Sequence, residues 1–403
     1  DDVIAQHGFD AWVSTEDGHR AEYTKREYRY RFSDYHNHLI ANGFKPGADI
    51  QGERLFGGDR GAGAQIFTAN QRSTLPEEFQ MASFLGDRAA EFIEENKDRP
   101  FVLYVSTFEP HSPYTGPLQD MYDPSQLPVG PAFLKRPDGA SLLNRARAEF
   151  YLQYLSGSGD QHDDFYMREY AATGEDVSTE EGWRRLRAHY FANITLVDRM
   201  AGRITGALEQ AGIADNTVVV FTSEHGDLLG DHGILEKRSF YEEAARVPLL
   251  MRVPWLSNEQ QDIEGSVGQI DLVPTLLDLL GEPVPDHLQG KSRLPVLRGE
   301  ETLENNDVFI QWNGTSDEIS ERDLGDGTIN RMITLPWRSV VSGRWKLNLC
   351  AGDQCELFDM NTDPHELNNL YNDPAQRDRI RDMAARIRFW QIQTGDRVPL
   401  PTT

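Results

Sequence analysis

The sequence predicts an α/β fold: a doubly wound, mainly parallel sheet flanked by helices, followed by a smaller C-terminal antiparallel α+β subdomain. Three observations predict it. Residues 101–105 (FVLYV) and 217–221 (TVVVF) are short apolar, β-branched runs, each followed at once by polar residues, as buried parallel strands are. Between them, Trp183, Leu186, Tyr190, Ile194, Val197, Ala201, Ile204 and Leu208 recur at three- and four-residue spacing, and Gly212 follows as a stop signal. Strand, helix and strand therefore alternate, the order of a doubly wound sheet. From about residue 303 the pattern changes to strand-like alternation, which sets the expected division at 1–302 and 303–403.

Composition narrows the function. The chain has 403 residues and a formal net charge of −25. That charge argues against a nucleic-acid partner, which needs a basic face. It also repels any anionic substrate, so a pocket for one must carry its own cations. No apolar run reaches the length of a membrane span, and the opening DDVIAQHGFD contains no signal peptide. The two cysteines, Cys350 and Cys355, flank a Gly352-Asp353 turn signal. They bridge if a hairpin sets them face to face, as suits an exported protein, and are otherwise two free thiols. Neither begins a C-x-P-x-R segment.

Taken in order, residues 1–75 are polar and aromatic-rich, with 8–12 a loop entering a strand and 20–31 either lining a polar groove or, as charged stretches more often do, forming a solvated face. Pro76-Glu77-Glu78 starts a helix through 96, with Phe79, Phe84, Ala89, Phe92 and Ile93 as its apolar stripe. The strand at 101–105 runs into a loop where His111 stands between Pro110 and Pro113, which stiffen it. Residues 115–180 read as an insertion that shapes a substrate pocket. After 217–221 come Glu224, His225, Gly226 and Asp227, then Asp231, His232 and Lys237, and a second apolar run at 247–253. Residues 267–275 lead into a helix at 276–280 closed by Gly281. Residues 307–312, 337–349 and 356–360 are the antiparallel strands, and 373–393 is a terminal helix with Ile380, Met383, Ile387 and Trp390 on one face.

The chemistry concentrates after the strand at 217–221. Glu224 and His225 stand at its carboxyl end, where open α/β sheets place ligands, and they are good metal-ligand types. Taken singly, Glu224 is also compatible with a helix cap, His225 with a core histidine, Lys237 with a surface lysine and His111 with a turn histidine. The order T-S-E-H-G-D-L-L-G-D-H-G, Lys237 and Y-E-E-A-A-R-V-P-L is what makes the stretch specific.

That stretch resembles the second signature of the type I, formylglycine-dependent sulfatase family within the alkaline-phosphatase-like superfamily. So do Pro110-His111-Ser112-Pro113, the phrase QIDLVPTLLDLLG, and GRWKLNL followed by CELFDMNTDPHELNNL. The resemblance covers essentially the whole chain. It implies a sulfuric ester hydrolase acting on a sulfated carbohydrate or aryl sulfate, exported to the periplasm or secreted. It implies Ca²⁺ at Glu224 and His225, Lys237 on the sulfate oxygens and leaving-group side, and His111 as sulfate contact and candidate acid. Two departures stand out. Glu224 occupies a position where the family has Asp, and calcium tolerates the longer carboxylate. The family's Asp-Asp strand, its C-x-P-x-R or S-x-P-x-R segment and its G-K-W-H-L-G segment do not occur. The chain is therefore expected to be N-terminally incomplete, with formylglycine in a missing segment and this chain alone inactive; Asp1-Asp2 is a weak stand-in for the metal pair. The alternatives are a phosphodiesterase or phosphonate monoester hydrolase of the same superfamily, and a non-catalytic sulfated-glycan binder.

Overall fold

The structure, a computed structural model, describes residues 8–15, 32–44, 75–111, 114, 116–155, 178–257, 259–315 and 327–403. Asp1-Asp2, the charged stretch 20–31 and much of the insertion at 115–180 lie outside them. In chain order the principal helices are α1 (Asp34–Ala41), α2 (Met81–Asn96), α3 (Leu142–Leu155), α4 (Glu180–Gln210), the short α5 (Glu242–Ala245), α6 (Leu272–Leu279) and α7 (Arg377–Thr394). The chain divides into two compact units, Asp1–Pro128 with Asp160–Thr217, and Val129–Gly159 with Val218–Thr403.

The first unit is built on α4 and α2. Thr179 caps α4, its hydroxyl accepting the Gly182 N–H at 3.1 Å, and Glu180 and Glu181 sit in the positive first turn. Leu196, Val197 and Met200 pack with Ala82, Phe84 and Leu85 of α2 and Leu39 of α1 in one buried cluster. Burying each such side chain stabilises by roughly 1.5–3 kcal/mol. The expected stripe of α4 is partly displaced. Trp183, Leu186, Val197 and Leu208 are buried, but Ile194 is 39% exposed while Asn193, Leu196 and Met200 take the inner face. Polar Asn193 hid that face from a reading of apolar spacing alone.

Residues 101–105 are not the buried strand expected. Their backbone is not assigned to a strand, and Val102 and Tyr104 are 77% and 76% exposed. Their side chains alternate between half-buried and exposed, the pattern of a segment covered on one face only.

In the second unit, β1 (Val219–Thr222) pairs with β2 (Leu249–Arg252), and it does so antiparallel, Val219 opposite Arg252 and Thr222 opposite Leu249. The predicted parallel neighbour of 217–221 is absent among the described residues. An apolar run predicts a strand but fixes neither the direction of its partner nor its burial, and Phe221 and Leu250 are exposed here. The C-terminal prediction holds. β3 (Asp307–Trp312), β4 (Trp337–Ser342), β5 (Trp345–Leu349) and β6 (Glu356–Asp359) form one antiparallel sheet in that order. Gly343, at a φ of 54°, makes the two-residue turn between β4 and β5, where Ser342 pairs with Trp345. Ile380, Met383 and Ile387 of α7 pack on Val340, Leu347, Leu349 and Leu357. Trp390 lies partly buried, stacked on Phe309 at 5.3 Å. The cysteines at the β5–β6 turn are both buried and free; the Cys355 thiol donates to the Cys350 carbonyl at 3.4 Å. The helix expected at 276–280 begins earlier, as α6, with Pro274 in its first turn.

Candidate functional site

The loop from Ser223 to Tyr241, between β1 and α5, carries three of the four residues singled out by sequence. The Ser223 hydroxyl donates to the His225 carbonyl at 3.0 Å, and the Gln269 amide donates to the Ser223 carbonyl at 2.5 Å. The Glu224 side chain is 91% exposed, with Oε2 3.9 Å from His225 Nε2. His225 Nδ1 is 2.8 Å from the Gly226 carbonyl. A carbonyl only accepts, so Nδ1 carries the proton and the lone pair lies on Nε2, beside the carboxylate.

Gly226 is required at this position. A Cβ there would stand 1.9 Å from the Glu243 carbonyl oxygen, and its N–H donates to the Ala244 carbonyl at 2.9 Å. Asp227 then ties the loop across its width: Oδ1 accepts the backbone N–H of Leu229 at 3.0 Å and of Glu236 at 3.1 Å. Leu229, His232, Glu236 and Arg238 all have positive φ, between 44° and 71°. Backbone of this kind in non-glycine residues is strained and clusters at ligand clamps and active sites.

Lys237 lies between two of these strained residues and is half-buried. Burial holds its pKa below the ordinary lysine value, and neighbouring Arg238 pushes the same way. The carboxylates of Glu236, Asp227 and Glu224 oppose them. The backbone on either side of Lys237 is held by buried Arg147 of α3, whose guanidinium donates to the Leu235 carbonyl at 2.8 Å and the Arg238 carbonyl at 3.3 Å. In a chain of net charge −25, the loop thus gathers three cations, Arg147, Lys237 and Arg238. Arg238 is engaged by Glu236 at 2.7 Å.

Behind the loop, His232 is fully buried and stacks on Tyr241 with ring centres 3.6 Å apart. Burial, with the charges of Lys346 and His365, pushes its pKa down to about 3, so it is a neutral aromatic slab. Lys346 of β5 is buried between Glu242 and Glu366, 2.8 Å from each. Burial pulls its ammonium down, and the two carboxylates more than offset this, so its pKa lies above the ordinary lysine value.

His111 belongs to the first unit. Its N–H donates to the Phe108 carbonyl at 2.9 Å, and its ring lies 4.6 Å from that of Phe108. Its neighbours Ser112 and Pro113 lie outside the described residues.

Among the described residues no three His, Cys, Asp or Glu side chains gather in a way that could hold a metal ion. Glu224 and His225 supply one hard oxygen donor and one imidazole lone pair facing each other. That donor set fits part of a divalent-cation shell; calcium takes six to eight ligands. Sequence reasoning missed Arg147, Lys346 and Glu366. Each reaches the site from a distant segment, and nothing local to them signals it.

An α/β unit whose strand ends in a carboxylate, an imidazole and a loop lysine, joined to an antiparallel C-terminal sheet, is the architecture of the alkaline-phosphatase-like superfamily. Solved structures agree on the fold. A phosphonate monoester hydrolase from Silicibacter pomeroyi superposes with a TM-score of 0.68 at 23% identity, over 89% of this chain and 68% of that one. A protein solved in complex with its substrate, D-glucosamine-2-N,6-O-disulfate, gives 0.65 at 20% identity, over 96% and 87%. Within that superfamily the chain belongs to the sulfatase family, whose profile matches residues 1–282. A second profile, N-sulphoglucosamine sulphohydrolase, C-terminal, matches residues 230–393. Among curated relatives, the multifunctional alkaline phosphatase superfamily protein PehA of Trinickia caryophylli is 29% identical over 81% of this chain and 62% of its own length. The choline-sulfatase of Rhizobium meliloti is 29% identical over 88% of this chain and 64% of its own. The chain thus spans slightly less than two thirds of the length of these relatives.

Proposed function

We propose that the protein is a sulfuric ester hydrolase that removes sulfate from a sulfated carbohydrate, an exported enzyme using Ca²⁺. The observation that carries this reading is the loop itself: Glu224, His225, Asp227 and Lys237 held in one strained segment of a chain whose family profile is that of the sulfatases. The sugar substrate draws support from the C-terminal profile, named for an N-sulphoglucosamine sulphohydrolase. No helix among the described residues is long and apolar enough to cross a membrane.

Lys237 supplies a fixed cation to the sulfate oxygens. In a half-buried, low-dielectric setting one positive charge counts for far more than in water, and it offsets the repulsion of the acidic background locally. Glu224 and His225 would hold the calcium ion through the carboxylate and Nε2. When bound, that ion supplies charge neutralisation at the ester oxygens. The Nδ1–H bond to the Gly226 carbonyl keeps the imidazole in the tautomer that can ligate. His111 is the candidate acid for the leaving oxygen. The family's nucleophile is formylglycine, formed from the Cys or Ser of a C-x-P-x-R or S-x-P-x-R segment that this sequence does not contain, so we assign no residue to that role.

The test is product release from matched esters by the protein expressed from its complete reading frame. Sulfated glucosamines, a chromogenic aryl sulfate and a phosphonate monoester are compared with and without Ca²⁺. Release of sulfate from the sugars, dependent on Ca²⁺, is the expected result. Faster cleavage of the phosphonate ester would transfer the protein to the alternative hydrolase class. Glycan binding without turnover would make it a binder.

A further inference from the structure

Lys346 is wholly buried in β5, with its charge paired to two carboxylates. Its ammonium is 2.8 Å from a Glu242 oxygen and 2.8 Å from a Glu366 oxygen. Glu366, at a φ of 50°, turns its other oxygen to the backbone N–H of Glu242 at 2.6 Å. Arg246 adds a more distant cation, 3.9 Å from Glu242. These contacts converge on α5, a helix of four residues. So short a helix has no stability of its own, and its place is set by what holds it.

What α5 holds in turn is the loop. The Ala244 carbonyl accepts the Gly226 N–H at 2.9 Å, and the Glu243 carbonyl fills the space where a side chain at 226 would go. Gly226 adjoins His225, and its carbonyl accepts the Nδ1–H at 2.8 Å. The contacts run without a break from Lys346 through Glu242 and Glu366 to α5, then to Gly226 and His225. A buried ion set is a poor source of stability, because desolvation cancels most of the attraction, and an apolar residue of similar volume serves as well or better. One ammonium between two carboxylates does, however, restrict where α5 can sit, since moving it would unpair a buried charge.

We propose that Lys346 is a positioning residue: through Glu242 and Glu366 it fixes α5, and through α5 and Gly226 it fixes the orientation of the His225 imidazole toward a divalent cation. This rests on the metal role given above to Glu224 and His225. It places part of the site's geometry under the control of the C-terminal sheet.

The test uses the protein expressed from its complete reading frame and compares wild type with Lys346→Met, Lys346→Arg and Glu366→Gln. Three readouts are taken: amide exchange at Gly226 against amides of β4, Ca²⁺ affinity by titration, and kcat separately from KM. For Lys346→Met we expect Gly226 exchange at least tenfold faster with β4 unchanged, Ca²⁺ Kd at least tenfold higher, and a fall in kcat larger than any rise in KM. Lys346→Arg, which keeps the charge in a longer planar group, is expected to recover part of each effect. If Lys346→Met does not fold, Lys346→Arg and Glu366→Gln carry the test. A folded variant with wild-type Gly226 exchange and Ca²⁺ affinity overturns the proposal, as does a purely thermal loss with both unchanged. Wild-type protein that binds Ca²⁺ but releases no sulfate refutes the proposed substrate, while exchange and Ca²⁺ affinity still decide the role of Lys346.

Discussion

Replacing Asp227 by alanine tests the claim that the loop is held in shape by one carboxylate. Asp227 Oδ1 accepts two backbone N–H groups, from Leu229 at 3.0 Å and Glu236 at 3.1 Å. A hydrogen bond to a charged group contributes about 1.5–3 kcal/mol net, so two together reach about 3–6 kcal/mol. Asp227 is only half-buried, and water replaces part of what is lost, which favours the lower end of about 3 kcal/mol. Asn keeps an acceptor at Oδ1 without the charge, where each bond is worth about 0.5–1.5 kcal/mol, so Asp227→Asn should retain roughly half the effect. For a protein of 403 residues a loss of ~3 kcal/mol lowers the unfolding transition by about 3–4 °C. Calorimetric melting of wild type, Asp227→Asn and Asp227→Ala should therefore give three ordered transitions. Two variants that melt together with wild type would refute the view that Asp227 braces the loop carrying Lys237.

The remaining predictions concern the scaffold. Hydrogen bonds from Arg338 hold the Asp396 carboxyl down to about 2, so its stabilisation is complete above the ordinary carboxylate range and is lost as pH falls through about 2. Acid unfolding followed by circular dichroism should therefore start at higher pH in Asp396→Asn, with the difference between variants shrinking below pH 2. Ile387 is fully buried between α7 and the four-stranded sheet, and Ile387→Ala should cost about 2–5 kcal/mol in urea unfolding. Both cysteines are buried, and burial pushes the Cys350 thiol up to about 11. A disulfide-exchange reagent at neutral pH should label neither thiol in the folded protein and both after denaturation.

How far the molecule can be read from its sequence depends on whether the deciding contact is local. Glu224, His225 and Lys237 stood out as candidates because one short stretch holds them all, between a β-branched run and a second apolar run, whereas the bracing role of Asp227 shows only in its contacts. The helices α2, α4 and α7 and the antiparallel strands β3–β6 were legible for the same reason, since periodicity is written within each element. The partner of β1 was not, because apolar residues at 217–221 serve a parallel or an antiparallel neighbour equally. Residues 101–105 look alike whether covered on both faces or on one, and here Val102 and Tyr104 are open. Arg147 and Lys346 were missed for a different reason. Arginines and lysines are usually solvated, and their burial here follows from acceptors supplied by chain segments far away: Leu235 and Arg238 for the first, Glu242 and Glu366 for the second. The inner face of α4 was misplaced by about one residue because Asn193 is buried and Ile194 is not.

The central claim is that Lys237 is the loop's cation for an ester anion. Its most direct test is kcat/KM for sulfate release from a sulfated glucosamine by the protein expressed from its complete reading frame, wild type beside Lys237→Ala, with melting to confirm that both are folded. Removing one preorganised cation or donor costs about 10²–10³ in rate, and a loss of that order, carried mainly by kcat, is the predicted result. A folded Lys237→Ala protein within threefold of wild type would contradict the account.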